Sequence, residues 1–376
     1  MAGAISNSTV ESSLRASTAE RTASALDDES KAAVAAALMA AAAVGFGTNL
    51  SIQLLNLGLQ SRGVSAALIG FSTMVQAIGI VFAAMLAPAV MRQIGARWTM
   101  IAGAVTAAGC MLLFTQVTGW APVTALRLVY AIGLALVFSC AEFVILSLSK
   151  RGDKGRTAGL YAAISGAGMA LGPAWISFAG ETDPISYYLA AWLCMACIPI
   201  ASAIGKVGPS LTDQNIRRLP YLSLAPLGFL AAFIFGFIDN GPITLLPVYG
   251  VFNDWSGAQS VLLVTAATLG AVVFQWPIGK AVDCFGTGLV FAAGVVAALT
   301  LALALPNLWH SPALVFLSVV AIGVVMEGFY TVGLAEIGNK FQANELAGVN
   351  AYFIAMCGAG ETVGPALTGF ALEWAR

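Results

Sequence analysis

Long apolar runs separated by short polar loops dominate the chain from residue 32 onward. A run of about 20 apolar residues crosses a bilayer as a helix, because lipid offers backbone N–H and C=O groups no other partner. The pattern predicts eleven spans, near 32–58, 66–90, 98–120, 123–148, 157–180, 185–205, 221–249, 259–281, 287–308, 312–338 and 347–372. Residues 1–31 break the pattern: rich in Ser, Thr, Ala and acids, without an aromatic residue, they are expected to form a disordered cytoplasmic tail. They carry no basic start and brief apolar core of the kind that marks a cleaved leader. The expected organisation is an all-α membrane protein: a six-helix bundle over 32–205, a cytoplasmic linker over 206–220 and a five-helix bundle over 221–376.

The polar punctuation repeats. Gly45-Phe46-Gly47-Thr48-Asn49 recurs 191 residues later as Gly236-Phe237-Ile238-Asp239-Asn240. Gly166-Ala167-Gly168-Met169-Ala170-Leu171-Gly172-Pro173 recurs, one residue out of step, as Gly358-Ala359-Gly360-Glu361-Thr362-Val363-Gly364-Pro365. Arg92-Gln93-Ile94-Gly95 and Asp283-Cys284-Phe285-Gly286 keep the spacing of 191. A duplication inside an apolar chain is the mark of a secondary transporter whose halves rock about a central site. It also predicts a twelfth helix beyond Trp374, which this chain does not contain.

Composition narrows the class. Apolar residues make up 59% of the chain and charged residues 9%, against roughly a quarter charged in soluble domains. A net charge of −1 gives no nucleic-acid surface. The expected orientation follows from the loops: Arg92, Arg97, Lys150, Arg151, Lys154, Arg156, Lys206, Arg217, Arg218, Lys280 and Lys340 fall on one side, with the basic residues of the tail. By the positive-inside rule that side, and the N-terminus, is cytoplasmic. The six cysteines offer no disulfide framework. Cys194 and Cys197 have redox spacing, but without nearby His or charge they are expected to be small packing residues.

Several stretches resemble the major facilitator superfamily. Gly279-Lys280-Ala281-Val282-Asp283-Cys284-Phe285-Gly286 is similar to its cytoplasmic loop motif, with Cys284 at the usual basic position. The first-half copy departs further, with Pro88, Arg92 and Gln93 at the Gly, Asp and basic positions. Arg127 with Gly133 resembles the motif of the fourth span, and Gly168-Met169-Ala170-Leu171-Gly172-Pro173 the antiporter-associated motif of the fifth. Arg127, Gly133 and Glu142, Gln275-Trp276-Pro277-Ile278-Gly279, and Tyr330, Asn350 and Gly364-Pro365 are similar to its YcaD-like bacterial branch. The resemblance implies two pseudo-symmetric bundles, with the first, fourth, seventh and tenth spans lining a central cavity.

Candidate residues follow from polarity within the spans. Asn49, Gln53 and Asn56 form one stripe of the first span, and Asn240 and Thr244 the matching stripe of the seventh. Such amides grip polar solutes as donors and acceptors, or bond neighbouring helices; recurrence in both halves favours cavity lining. Tyr330, among the residues of the resemblance, completes the substrate-binding set. Ionisable residues inside a span cost about 3 kcal/mol on insertion scales, so Arg127, Glu142, Asp239, Glu327 and Glu361 call for partners, water or a proton. Asp239, Glu327 and Glu142 are the proton-coupling candidates. Arg127 is placed either to bind an anionic group or pair with an acid, or to anchor its helix. Gly168, Gly172, Pro173, Gly360, Glu361, Gly364 and Pro365 are read as packing and gating positions, with Asp283 and Gly286 of the loop motif.

These features point to a secondary transporter of a small organic solute in the bacterial inner membrane, working by alternating access with proton coupling and leaning toward export. A monomer is expected, partnered only by solute, protons and lipid, with no cofactor and no metal. The competing reading is a transporter-like scaffold or sensor, or an uncoupled facilitator. An enzyme is the poorest reading, since the single histidine, His310, lies in a loop without triad or metal-ligand spacing.

Overall fold

The computed structural model describes the backbone of residues 3–148, 154–180, 183–203, 221–341 and 346–374, and the side chains of 32–145, 160–161, 163–180, 183–201, 221–341 and 349–374. The 206–220 linker, Lys150 and Arg151 lie outside the described residues. All regular structure among the described residues is helical: α1 (Gly3–Ser61), α2 (Ala66–Phe114), α3 (Trp120–Leu148), α4 (Lys154–Ala179), α5 (Ile185–Ala203), α6 (Tyr221–Leu224), α7 (Pro226–Ile238), a π-helical turn (Asp239–Ile243), α8 (Thr244–Phe252), α9 (Gly257–Phe285), α10 (Thr287–Leu308), α11 (Pro312–Lys340) and α12 (Leu346–Trp374). Among them, seven are long and apolar enough to cross a membrane, beginning at Ala32, Ala66, Trp120, Pro226, Gly257, Thr287 and Pro312.

Two boundaries differ from the sequence pattern. Helix α1 continues back to Gly3, so residues 3–31 extend the first span as helix where a disordered tail was expected. Their Ala, Glu, Ser and Arg content is compatible with helix, and composition alone separates that poorly from coil. Helix α2 runs through two expected spans, broken inside at Gly95 (φ 82°, ψ 156°). Gly286, at the duplicate position, adopts φ 80°, ψ 159° between α9 and α10. Only glycine takes that conformation readily, so the repeat extends to the backbone turn.

The duplication holds contact for contact. Asn49 Nδ2 donates to Met169 O at 3.0 Å, and Asn240 Nδ2 to Glu361 O at 2.8 Å. Gly168 and Gly172 of α4 press on Ala42 O and Phe46 O of α1, while Gly360 and Gly364 of α12 press on Phe233 O and Phe237 O of α7. Each half thus packs its glycine-rich helix backbone against backbone, the close approach that small residues permit in lipid. Gly360→Ala is expected to cost about 1–3 kcal/mol, because a methyl group there would overlap Phe233 O and reach within 2.7 Å of Phe237 N. Gly279→Ala, with open space around it, is the control. Equal thermal midpoints for the two variants in detergent would contradict this account.

One hydrophobic cluster fills the first half around Leu50, Met100, Met111, Tyr130 and Ile145. Others occupy the second around Leu263, Val319, Phe229 and Phe353. Helix α10 buries only Leu305 and presents the rest of its apolar surface outward, as a lipid-facing helix does. The halves meet along α2 with α12 and α4 with α9.

Candidate functional site

The seventh expected span is a broken helix. After Ile238 the chain makes the π turn Asp239-Asn240-Gly241-Pro242-Ile243 before α8 resumes. Pro242 and Pro247 lack the N–H groups that a regular helix would use there. Thr244 Oγ1 caps the disturbed backbone by donating to Asn240 O and, at 3.2 Å, to Gly241 O. Gly241 lies against Gly364 and Thr368, where a methyl group would come within 2.8 Å of Gly364 C. Pi turns of this kind recur at functional sites, and this one sets Asp239 at the break.

Acids gather around it. Asp239 opens the turn whose next residue, Asn240, donates to Glu361 O on α12, and Glu327 stands on α11, which packs on α7. Glu327 accepts from Gln275 Nε2 at 3.3 Å. Tyr330 stands one turn along α11 from Glu327. Its ring stands 4.9 Å from Phe235 and 5.4 Å from Phe353, centroid to centroid. Glu142 is exposed, whereas Asp239, Glu327 and Glu361 are half-buried. None of these four acids has a basic partner among the described residues. Glu336, nearer the end of α11, is different: it pairs with Lys340 at 2.8 Å and accepts from Thr287 Oγ1 at 2.6 Å.

The first half is organised around Arg127, which is fully buried. Its Nη1 donates to Ser72 Oγ and Thr73 Oγ1, both at 3.2 Å. Its Nη2 donates to Ile52 O at 3.2 Å and Asn56 Oδ1 at 2.8 Å. The guanidinium therefore ties α1, α2 and α3 together through neutral oxygens. Gln53, of the same stripe, is fully buried and neither of its amide atoms has a hydrogen-bond partner. Ser72, Thr73 and Gln76 are not legible as candidates, since small and uncharged polar residues in an apolar run carry little signal; their relation to Arg127's helix is visible only in space.

Contact between the halves concentrates at the end of the bundle that carries the Ser61–Ala66 and Phe252–Gly257 connections. Asn56 Nδ2 donates to Thr244 O at 3.3 Å and Gln60 Nε2 to Val248 O at 3.1 Å. Thr265 Oγ1 donates to Ala170 O at 3.1 Å, and Gly70 of α2 presses on Pro365 of α12. A cavity of about 390 Å³ lies at this rim, bounded by Leu57, Gln60, Val64, Val251 and Phe252. The opposite end of the bundle carries the turn between α9 and α10. There Asp283 and Gly286 are exposed, and Lys280 Nζ sits 3.9 Å from the Trp276 ring centroid.

The structure thus places Asp239, Glu327, Tyr330 and Glu361 on packed elements about the broken helix, while Glu142 is an exposed residue of α3 in the other half. It places Asn49 and Asn240 on carbonyls of the glycine-rich helices, and Asn56 and Thr244 at the junction of the halves. Gly168, Gly172, Gly360 and Gly364 lie at helix crossings; Pro173 and Pro365 sit inside α4 and α12.

Comparison with known proteins agrees with this architecture. The chain matches the Major Facilitator Superfamily over residues 33–252 and 228–376. It is 25% identical over 281 residues to YcaD of Salmonella arizonae, described as an uncharacterized MFS-type transporter, covering 73% of this chain and 71% of the relative. YfkF of Bacillus subtilis, described likewise, is 21% identical over 338 residues, covering 88% and 86%. The fold is similar to that of the nucleoside transporter NupG, with a TM-score of 0.74 at 13% identity over 93% of this chain and 92% of the other. It is also similar to that of a D-xylose-proton symporter, with a TM-score of 0.69 at 14% identity over 91% and 89%.

Proposed function

The chain belongs to the major facilitator superfamily, and from that premise we propose that it moves a small organic solute across the bacterial inner membrane by alternating access, exchanging it against protons. The observation that carries the coupling is the placing of Asp239, Glu327 and Glu361 on packed elements around a broken helix, without a basic partner among the described residues. A carboxyl inside a span with no basic partner is suited to carry a proton between the two aqueous sides. Open to one side it loads, and open to the other it releases.

In this reading the chain crosses the membrane eleven times with its N-terminus inside, and works as a monomer. The end joined by Asn56 and Gln60 is then the outer one. The antiporter-like motif around Gly168, Gly172 and Pro173 supports export. Uncompensated acids near Tyr330 and Phe235 suit a cationic, zwitterionic or neutral solute better than a dianion. A transporter-like scaffold is the second reading, favoured by Arg92 and Gln93 at the acidic and basic positions of the first loop motif.

The test is proton flux in sealed proteoliposomes with an interior pH dye while small metabolites and drugs are added. A solute-triggered pH change supports coupled transport and identifies the solute class. Solute exchange without a pH change would instead establish an uncoupled facilitator, and neither exchange nor flux would favour the scaffold.

A further inference from the structure

The polar group beneath Arg127 has more donors than partners. All four Nη hydrogen bonds of the guanidinium end on neutral oxygens, and its Nε has none. Three residues before Asn56 on α1 stands Gln53; three residues after Thr73 on α2 stands Gln76. The two helices are antiparallel, so both steps move about one turn in the same direction, toward mid-depth. Gln53 is 0% and Gln76 1% exposed, and neither the nitrogen nor the oxygen of either amide is hydrogen-bonded. Below them Tyr130 Oη donates to Gly47 O at 3.0 Å and closes the helix gap.

Two complete amides and a guanidinium N–H, all buried and unpartnered around one uncompensated positive charge, are a costly arrangement unless something accepts from them. The field of Arg127 selects for negative charge, a single cation asks for a single anion, and the burial of Arg127, Gln53 and Gln76 limits its size. We propose that the first half contains a binding site for one compact monovalent anion, held by Arg127 Nε and the amide nitrogens of Gln53 and Gln76. The anion is a free ion or the carboxylate of the solute; the second source rests on the transport reading above, and the first does not. In the conformation described the site is closed off by the Asn56–Thr244 junction, so the ion exchanges when that junction opens.

The experiment measures binding rather than transport, so a silent flux assay leaves it standing. Full-length chain in nanodiscs, kept in gluconate at constant ionic strength, is titrated with sodium chloride, sodium formate or sodium acetate while the thermal midpoint is followed. The expected result is a saturable rise of about 4 °C at a hundredfold excess over half-saturation. The rise is expected to vanish in the double variant Gln53→Leu with Gln76→Leu, which keeps a cooperative transition in gluconate because it loses only unpartnered amides. Should that variant not fold, Gln76→Glu serves: its own carboxylate would raise the midpoint in gluconate and abolish the response. Stabilisation by chloride and formate alike identifies a free-ion site, and stabilisation by the carboxylates alone identifies the solute's carboxylate. A wild-type midpoint indifferent to all three salts, or a response that persists in Gln76→Glu, overturns the proposal.

Discussion

Asp239→Asn is expected to reduce solute-driven proton flux at least about a hundredfold while leaving solute-for-solute exchange in place. Asparagine has the size and much of the hydrogen-bonding capacity of the aspartate, so the π turn and its contacts with α12 should survive. What it lacks is a titratable proton. Glu327→Gln is expected to behave in the same way, because glutamine retains an oxygen for Gln275 Nε2 and can carry no proton. The diagnostic is the split between two measurements on the same liposomes: pH-dye signal lost, counterflow of labelled solute kept. If both variants move protons with unchanged pH dependence, these acids are not the carriers. If both measurements fail together, the carboxylates bind solute instead.

A second large effect is expected at the junction of the halves. Asn56 and Gln60 each donate one amide hydrogen bond across it, to Thr244 O and Val248 O. At about 1 kcal/mol net for each bond, removing both in Asn56→Ala with Gln60→Ala shifts the balance toward the state parted at this end by about 30-fold. Spin labels at Ser61→Cys and Asn253→Cys, in a Cys284→Ser background, report the separation directly. An unchanged distance distribution would show that apolar contacts between α1 and α8 hold this end closed without help from the amides.

Much of the architecture was legible because it depends on period and repetition. The 191-residue duplication predicted which helices would form equivalent pairs, and the glycine crossings of α4 with α1 and of α12 with α7 follow it position by position. The break at Asp239 was less legible. Gly241, Pro242 and Pro247 were visible, yet membrane helices tolerate such residues without breaking, so only the coordinates distinguish a π turn from a bend. The amide stripes show the same limit from another direction. A stripe reveals which face is polar, and cannot reveal whether that face meets solute, a carbonyl or the other half. Asn49 and Asn240 went to carbonyls, Asn56 to Arg127 and Thr244, and Gln53 to no partner at all. Two partners of Arg127 escaped notice for a related reason: Ser72 and Thr73 lie more than fifty residues away along the chain, and a small hydroxyl inside an apolar run carries no signal until the helices are packed.

Gly95 and Gly286 hold nearly identical dihedral angles, yet the residues just before them have diverged: Arg92 stands opposite Asp283 in the alignment of the two halves, and Gln93 opposite Cys284. A doubled ancestral segment has therefore been free to rewrite its ionic lettering while its chain trajectory stayed fixed. The drift has left Arg92 and Arg97 about the first turn and Lys280 with Asp283 before the second, so two turns of one shape now carry unequal charge. Heredity here preserved a trajectory and let its electrical lettering diverge.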